Sequence, residues 1–418
     1  MNIFNDYESE VRSYCRKFPV VFSRAKDAYM YAENGDRYID FFCGAGALNY
    51  GHNNDYIKGK VCEYLMQDGI IHSMDMYTSS KREFIQTFEE KILKPRNLDY
   101  KIMFVGPTGT NANEAALKLA RKVTGRQGIF ALMGCFHGMT LGTLALTTEE
   151  AARKGAGVAL HDVTHIPAPY MFPELDTIQY METLIEDDHS GVDKPAALVI
   201  EVLQAEGGIY ILPNEWLQKA RAFCDKYDIL LIADEVQIGN CRTGKFFSFE
   251  HAGIKPDIVT MAKSIGGIGM PMALTLFRPE LDIWSPGEHN GTFRGFQLAT
   301  VAGKAGLEFM LENHVEEEVC KKEQIIETFL KNNISTINQR LEYRGKGMIW
   351  GIDFSAFPEG TAKKCSQKCF EKGLVIELAG RKDCVLKLMP ILTIEKSILE
   401  QGLNIVAESV KEILEHPI

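Results

Sequence analysis

Lys263 ends the apolar run PDIVTMAK and is followed at once by the glycine loop SIGGIGMP. A lysine at the carboxyl end of a buried strand is desolvated. Its pKa then falls, so the neutral amine can attack an aldehyde and later carry a proton. Asp234 closes a second apolar run, ILLIAD, where a carboxylate is costly unless it is paired. A protonated ring nitrogen is such a partner: the ionised acid keeps the proton on the ring, and the charged ring withdraws electrons from a carbanion. Gln237 follows closely enough to reach an oxygen on the same ring. A third run, IMFV, leads through GPTGT into the helical pattern NANEAALKLARK. There Gly109 and Thr110 stand at a helix N-terminus, whose unpaired N–H groups and dipole suit a phosphate. The GxxxxGK[ST] and GxGxxG spacings are missing, which argues against nucleoside triphosphates and dinucleotides.

Each feature also has a plainer reading. Lys263 alone reads as a surface lysine, Asp234 as a helix cap or metal ligand, and the Gly109 loop as a tight turn with a threonine near an N-cap. Phe136, in CFHGMT, either stacks on a ring or is an ordinary core aromatic. Coincidence is disfavoured because the loop, the acid and the lysine come in that order at the ends of three strands. Glu201 and Glu206, in IEVLQAEGG, add carboxylates at the same sheet edge. Thr292, in HNGTFRG, offers a hydroxyl suited to a phosphate oxygen.

The elements that must position these residues are short apolar runs at 102–105, 128–133, 197–202, 229–234, 257–262 and 272–277. They read as buried parallel strands. Between them, 111–123 and 214–227 have helical spacing, so the centre is expected to be an α/β sheet wrapped by helices, with its ligand at the carboxyl ends of the strands. From about Gln297 to Leu341 the pattern is helical, and the runs GMIWGIDF, LVIEL and VLKLM beyond it predict a smaller α+β domain. The expected division is 1–50, an N-terminal segment contributing to the small domain and the active-site rim; 51–300, the large domain; and 301–418, the small domain. In YMYAENGDRYIDF, Asn34-Gly35 marks a hairpin turn.

Composition narrows the partners. A formal charge of −10, with scattered lysines and arginines, offers no footprint for nucleic acid. No stretch approaches the ~18 apolar residues of a membrane span, and the N-terminus has no apolar leader. The ten cysteines show no CxxC pair, and Cys365 and Cys369 fit one helix face better than a zinc site. Reduced thiols and a cytoplasmic location are the expectation.

At these residues the chain resembles the class III (ω-type) pyridoxal-phosphate aminotransferases of fold type I over nearly its whole length. TGTNANEAALKLAR is similar to that family's phosphate loop, FHG to its ring-stacking aromatic and following histidine, DEVQIGNCRTGKFF to its Asp and Gln pair, and PDIVTMAKSIGG to its Schiff-base lysine. The resemblance implies that Gly109 and Thr110 hold the phosphate and that Phe136 stacks on the ring. It also implies that Asp234 pairs with the ring nitrogen, Gln237 meets the phenolic oxygen and Lys263 binds the cofactor covalently. Thr292 matches the residue that reaches the phosphate of the neighbouring subunit, which implies a homodimer or a dimer of dimers.

Within that family, FFCGAGALNYGHNN, LDYKIMFVGPTGTN, CFHGMTLG, FFSFEHAGIKPDIV and SPGEHNGTFRG resemble the diaminobutyrate–2-oxoglutarate aminotransferases of ectoine and some siderophore pathways. Two positions that are arginine in many relatives are Met139 and Lys387 here. AEGG at 205–208, DEVQ at 234–237 and SIGGIG at 264–269 depart from the closer group beside the cofactor. What the resemblance implies is ping-pong amino transfer between glutamate and the aldehyde of aspartate 4-semialdehyde, with small-molecule substrates only. Glu206, paired with Lys387, would be the switch that lets one site take an α-amine and a terminal amine. The alternatives are another ω-aminotransferase acting on ornithine, 4-aminobutyrate or a diamine, a racemase or mutase on the same cofactor, and a catalytically silent binding protein.

Overall fold

In the computed structural model, which describes residues 2–415, the apolar runs pair into a seven-stranded sheet. Its spatial order is Lys101–Phe104, Leu274–Phe277, Ile258–Met261, Leu230–Asp234, Ala197–Ile200, Ile129–Leu132 and Val163–Ile166. The inner strands are buried on both faces, which is why they read as unbroken apolar runs rather than as alternation. Leu230–Asp234 lies at the centre, flanked in parallel by Ala197–Ile200 and Ile258–Met261. The edge strand Val163–Ile166, sequence VTHI, is mostly half-buried and has no apolar signature to announce it.

The expectation of parallel strands fails at one of them. Leu274–Phe277 runs antiparallel to both neighbours. Parallel neighbours need a crossover, usually a helix that carries the chain back across the sheet. Between Met261 and Leu274 the chain forms only the short helical turn Lys263–Gly266 and then doubles back. The reversal places Lys263 in the bend itself. Gly267 lets that bend close: its φ is +74°, and a Cβ there would lie 2.4 Å from the Ala302 carbonyl oxygen on helix Gln297–Glu312.

Helix Gly109–Thr124 starts where the Thr108 hydroxyl accepts the Asn111 N–H and ends at left-handed Gly125. Its alanine-rich face packs on the central strands. Helix Asn214–Tyr227 packs on Leu230–Asp234. Helix Gln297–Glu312, which runs across residue 300, packs on helices Asp55–Met66 and Ser79–Phe88.

Two four-stranded sheets lie beside the large one, and Leu203–Gln204 pairs with Tyr210–Ile211 in a two-stranded ribbon. Tyr29–Ala32 and Arg37–Asp40 form the hairpin turned at Asn34-Gly35, and join Phe22–Lys26 and Leu374–Val375 in one sheet. Glu342–Lys346, Ile349–Asp353, Val385–Leu388 and Glu377–Ala379 form an antiparallel sheet. Helices Thr361–Glu371 and Lys396–Glu415 pack together near it, with Cys365 and Cys369 buried on one face. All ten cysteines are free thiols. Among the described residues no helix is long and apolar enough to cross a membrane.

Candidate active site

A cavity of about 400 Å³ opens at the carboxyl ends of the central strands. Its walls carry Gly109, Thr110, Phe136, Glu201, Glu206, Asp234, Gln237 and Lys263. Ser13, Tyr14 and Lys17 close it from the N-terminal segment. Of the residues singled out in the sequence, Lys387 lies just behind this wall. Thr292 and Met139 lie outside it on exposed surface.

Asp234 is held from three sides. Its Oδ2 accepts from Asn113 Nδ2 at 2.8 Å and from His137 Nδ1 at 2.7 Å, and its Oδ1 accepts the Val236 N–H at 2.9 Å. A carboxylate only accepts, so His137 carries its proton on Nδ1. Asn113 also accepts from the Thr260 hydroxyl on the neighbouring strand Ile258–Met261 and donates to the His137 carbonyl in the loop after Ile129–Leu132. The sequence reading passed over Asn113, a polar residue on an ordinary helical pattern. His137 was visible only as the residue after Phe136.

Glu201 does not face a substrate so much as hold Phe136. Its Oε1 accepts the Phe136 N–H at 2.9 Å, and burial pushes its carboxyl up to about 7. Lys263 is partly accessible through the cavity, but desolvation takes its amine down to about 8, with Glu206 opposing and Lys387 reinforcing the fall. Its φ of +56° is a conformation non-glycine residues rarely adopt.

Glu206 Oε1 accepts from Lys387 Nζ at 2.6 Å and from Gln237 Nε2 at 3.1 Å. Burial disfavours its charge, yet the Lys387 ammonium prevails and holds the carboxyl below its ordinary value. Lys387 is fully buried and lies 2.9 Å from a second carboxylate, Glu377 Oε2. Glu377 was hidden in the run LVIEL, where a strand's alternation gave no hint of a buried acid. The Gln237 amide also donates to the Ala45 carbonyl, so its nitrogen is engaged by the N-terminal segment as well as by Glu206.

At the other end of the cavity, Gly109 allows a close approach: a Cβ there would fall 2.7 Å from Val236 Cγ1. The Thr110 hydroxyl meets those of Thr143 at 2.6 Å and Thr140 at 2.9 Å. The departures at 205 and 235 turn away from the cavity. Ala205 is buried beneath it, and Glu235 accepts the Ser248 hydroxyl and N–H, its carboxyl raised to about 8 by burial.

This donor set fits pyridoxal phosphate. Asp234 is pre-aimed at the cavity, the desolvated Lys263 shares it, and Gln237 Oε1 is buried without a hydrogen-bond partner. A helix N-terminus beside a hydroxyl cluster suits the phosphate.

Residues 12–410 match the family model Aminotransferase class-III. The chain is 51% identical over 417 residues to the diaminobutyrate–2-oxoglutarate transaminase of Halalkalibacterium halodurans, covering 99% of this chain and 97% of that one. It is 50% identical to the protein of the same name from Wolinella succinogenes, with the same coverage of 99% and 97%. Among solved structures, the taurine:2-oxoglutarate aminotransferase of Bifidobacterium kashiwanohense, in complex with PLP and glutamate, shares the fold at a TM-score of 0.84 and 24% identity, covering 95% of this chain and 93% of that one. The chain belongs to the class III aminotransferases and is a pyridoxal-phosphate-dependent transaminase of fold type I.

Proposed function

We propose that this transaminase moves an amino group from L-glutamate to the aldehyde of L-aspartate 4-semialdehyde, giving 2-oxoglutarate and L-2,4-diaminobutyrate. The observation that carries this reading is the Glu206–Lys387 pair, 2.6 Å apart beside Lys263. Glu206 is 31% exposed and Lys387 is not exposed at all, so Glu206 can swing aside and leave a fixed cation for a substrate carboxylate. The relatives at about half identity, named for this reaction, support the same choice.

Bound pyridoxal phosphate supplies an aldehyde that accepts the amino group and a protonated ring that stabilises negative charge on the carbon losing its proton. Asp234, fixed by Asn113, His137 and the Val236 N–H, would keep the ring nitrogen protonated. Phe136, anchored by Glu201, would cover the ring face, and the Gly109–Thr110 turn would take the phosphate. Lys263, its amine lowered to about 8 so that a neutral fraction is present near physiological pH, would accept the substrate proton and return it on the other side of the transfer. With glutamate, Lys387 would receive the α-carboxylate once Glu206 withdraws. With diaminobutyrate, whose reacting amine is terminal, Glu206 would stay on Lys387. Lysine offers a point charge rather than a bidentate fork, so this grip is less selective in geometry than an arginine's.

We read the protein as a homodimer in which Thr292 serves the phosphate of the neighbouring copy, and as a cytoplasmic enzyme, to which its free thiols lend support. Its product would feed ectoine or siderophore synthesis, as the resemblance implies. The test is a panel of amino donors and aldehyde acceptors with purified protein, read by glutamate consumption. Aspartate 4-semialdehyde should lead; equal or better turnover of the aldehydes of ornithine or 4-aminobutyrate metabolism would refute the assignment.

A further inference from the structure

We propose that Glu377 sets the amino-donor preference of this site by giving the buried Glu206–Lys387–Glu377 cluster a net negative charge, which favours a donor whose distal end carries a second ammonium group over one with a carboxylate alone. This deepens the reading above, on which it rests, by adding a specificity-determining residue.

Glu377 and Lys387 sit directly opposite each other on adjacent antiparallel strands, so the backbone itself fixes the pair. Lys387 Nζ lies 2.6 Å from Glu206 Oε1 and 2.9 Å from Glu377 Oε2. Two carboxylates on one ammonium leave the cluster with one excess negative charge. Lys387 has no exposed surface, whereas Glu206 and Glu377 both line the cavity. A substrate therefore meets acids, with the cation behind them. Glu377 Oε2 is buried, with the Lys387 ammonium 2.9 Å away, and the Tyr14 phenol interacts with the same carboxylate.

Four further acidic residues, Glu149, Glu201, Asp234 and Asp383, line the same cavity, and among its described lining residues Lys17 is the one lysine besides Lys263. Neighbouring groups register the resulting potential. The Glu149 carboxyl is raised by burial and then by Glu206 and Asp383. The Tyr14 phenol is raised by burial and then by Glu377 and Glu206.

The α-ammonium of diaminobutyrate would lie in this field while its terminal amine reacts. The carboxylate of 4-aminobutyrate would enter the same field and be repelled. Glutamate escapes the penalty, because its carboxylate replaces that of Glu206 on Lys387 and leaves the charge of the cluster unchanged.

The experiment compares kcat/KM for L-2,4-diaminobutyrate and 4-aminobutyrate, each with 2-oxoglutarate, in the holoenzyme and in Glu377→Gln and Glu377→Asp. In Glu377→Gln the ratio of diaminobutyrate to 4-aminobutyrate should fall about tenfold, through KM for both amines in opposite directions rather than through kcat. Glu377→Asp should restore most of it. Asp383→Asn, on the exposed rim, should lower the ratio about twofold to threefold, and it keeps the test open if Glu377→Gln does not fold. A ratio that stays at the wild-type value in the folded variants overturns the proposal and leaves the assigned reaction standing. A wild-type enzyme that does not transaminate diaminobutyrate overturns both.

Discussion

Lys263 is placed where a charged amine is hardest to keep. Desolvation brings it to about 8, and its left-handed backbone stores strain on the order of 1–3 kcal/mol that the surrounding bend must hold. The folded pKa lies below lysine's ordinary value, so the neutral amine gains as pH rises. The rate at which cofactor-free protein captures pyridoxal phosphate should climb about tenfold per pH unit below pH 8 and level off above it. Stopped-flow absorbance in the visible would show this, and a flat profile between pH 6 and 8 would remove Lys263 as the capturing amine. Lys263→Ala should cost at least 10²–10⁴-fold in turnover, roughly the range for loss of a general acid–base group, and should retain cofactor only weakly through dialysis. Asp234→Asn should lower turnover by about a hundredfold or more, since the neutral amide cannot hold the ring proton. Undiminished activity in that variant would mean the ring nitrogen has a different partner.

One helix does two jobs for the site. The N-terminus of Gly109–Thr124 faces the cavity, and Asn113, one turn later, bridges Thr260, Asp234 and the His137 carbonyl. Asn113→Ala would leave buried groups unpaired, each costing about 1–3 kcal/mol. A fall of about 2 kcal/mol or more is expected, seen as a lower urea midpoint at unchanged slope. The helix itself was legible: a glycine turn, a capping threonine and alanines at helical spacing announce it. Its partnership with Asp234 was not, because the two residues are 121 positions apart and no local pattern links them. The strand reversal at 274–277 was likewise invisible in composition, since an inner strand buried on both faces reads the same in either direction.

At the scale of the whole molecule, the exposed apolar residues Ile70, Met76, Tyr77 and Phe293 lie around the segment that carries Thr292. His72 meets the Thr292 carbonyl at 2.8 Å and the Phe293 ring edge-on, so the two segments form one surface. In the homodimer proposed above, a second copy of the chain would cover these residues. Tyr77→Asp is expected to shift the protein toward the monomer mass in sedimentation and to weaken cofactor retention with it. A dimer that persists with full retention would place the interface elsewhere.

What the sequence by itself determined was chemistry that depends on local context: the lysine at a strand end, the acid closing an apolar run, the glycine turn opening a helix, and the family motifs around them. Burial and backbone geometry follow from neighbouring residues, so these survive without coordinates. Only the tertiary structure decided what depends on distant partners. Asn113 and His137 behind Asp234, Glu201 behind Phe136, and above all Glu377 beside Lys387 arise from contacts between elements. The strength and sign of a charge in a buried site are set by every neighbour in space. A lysine that the resemblance pairs with Glu206 is, once folded, the minority charge between two acids.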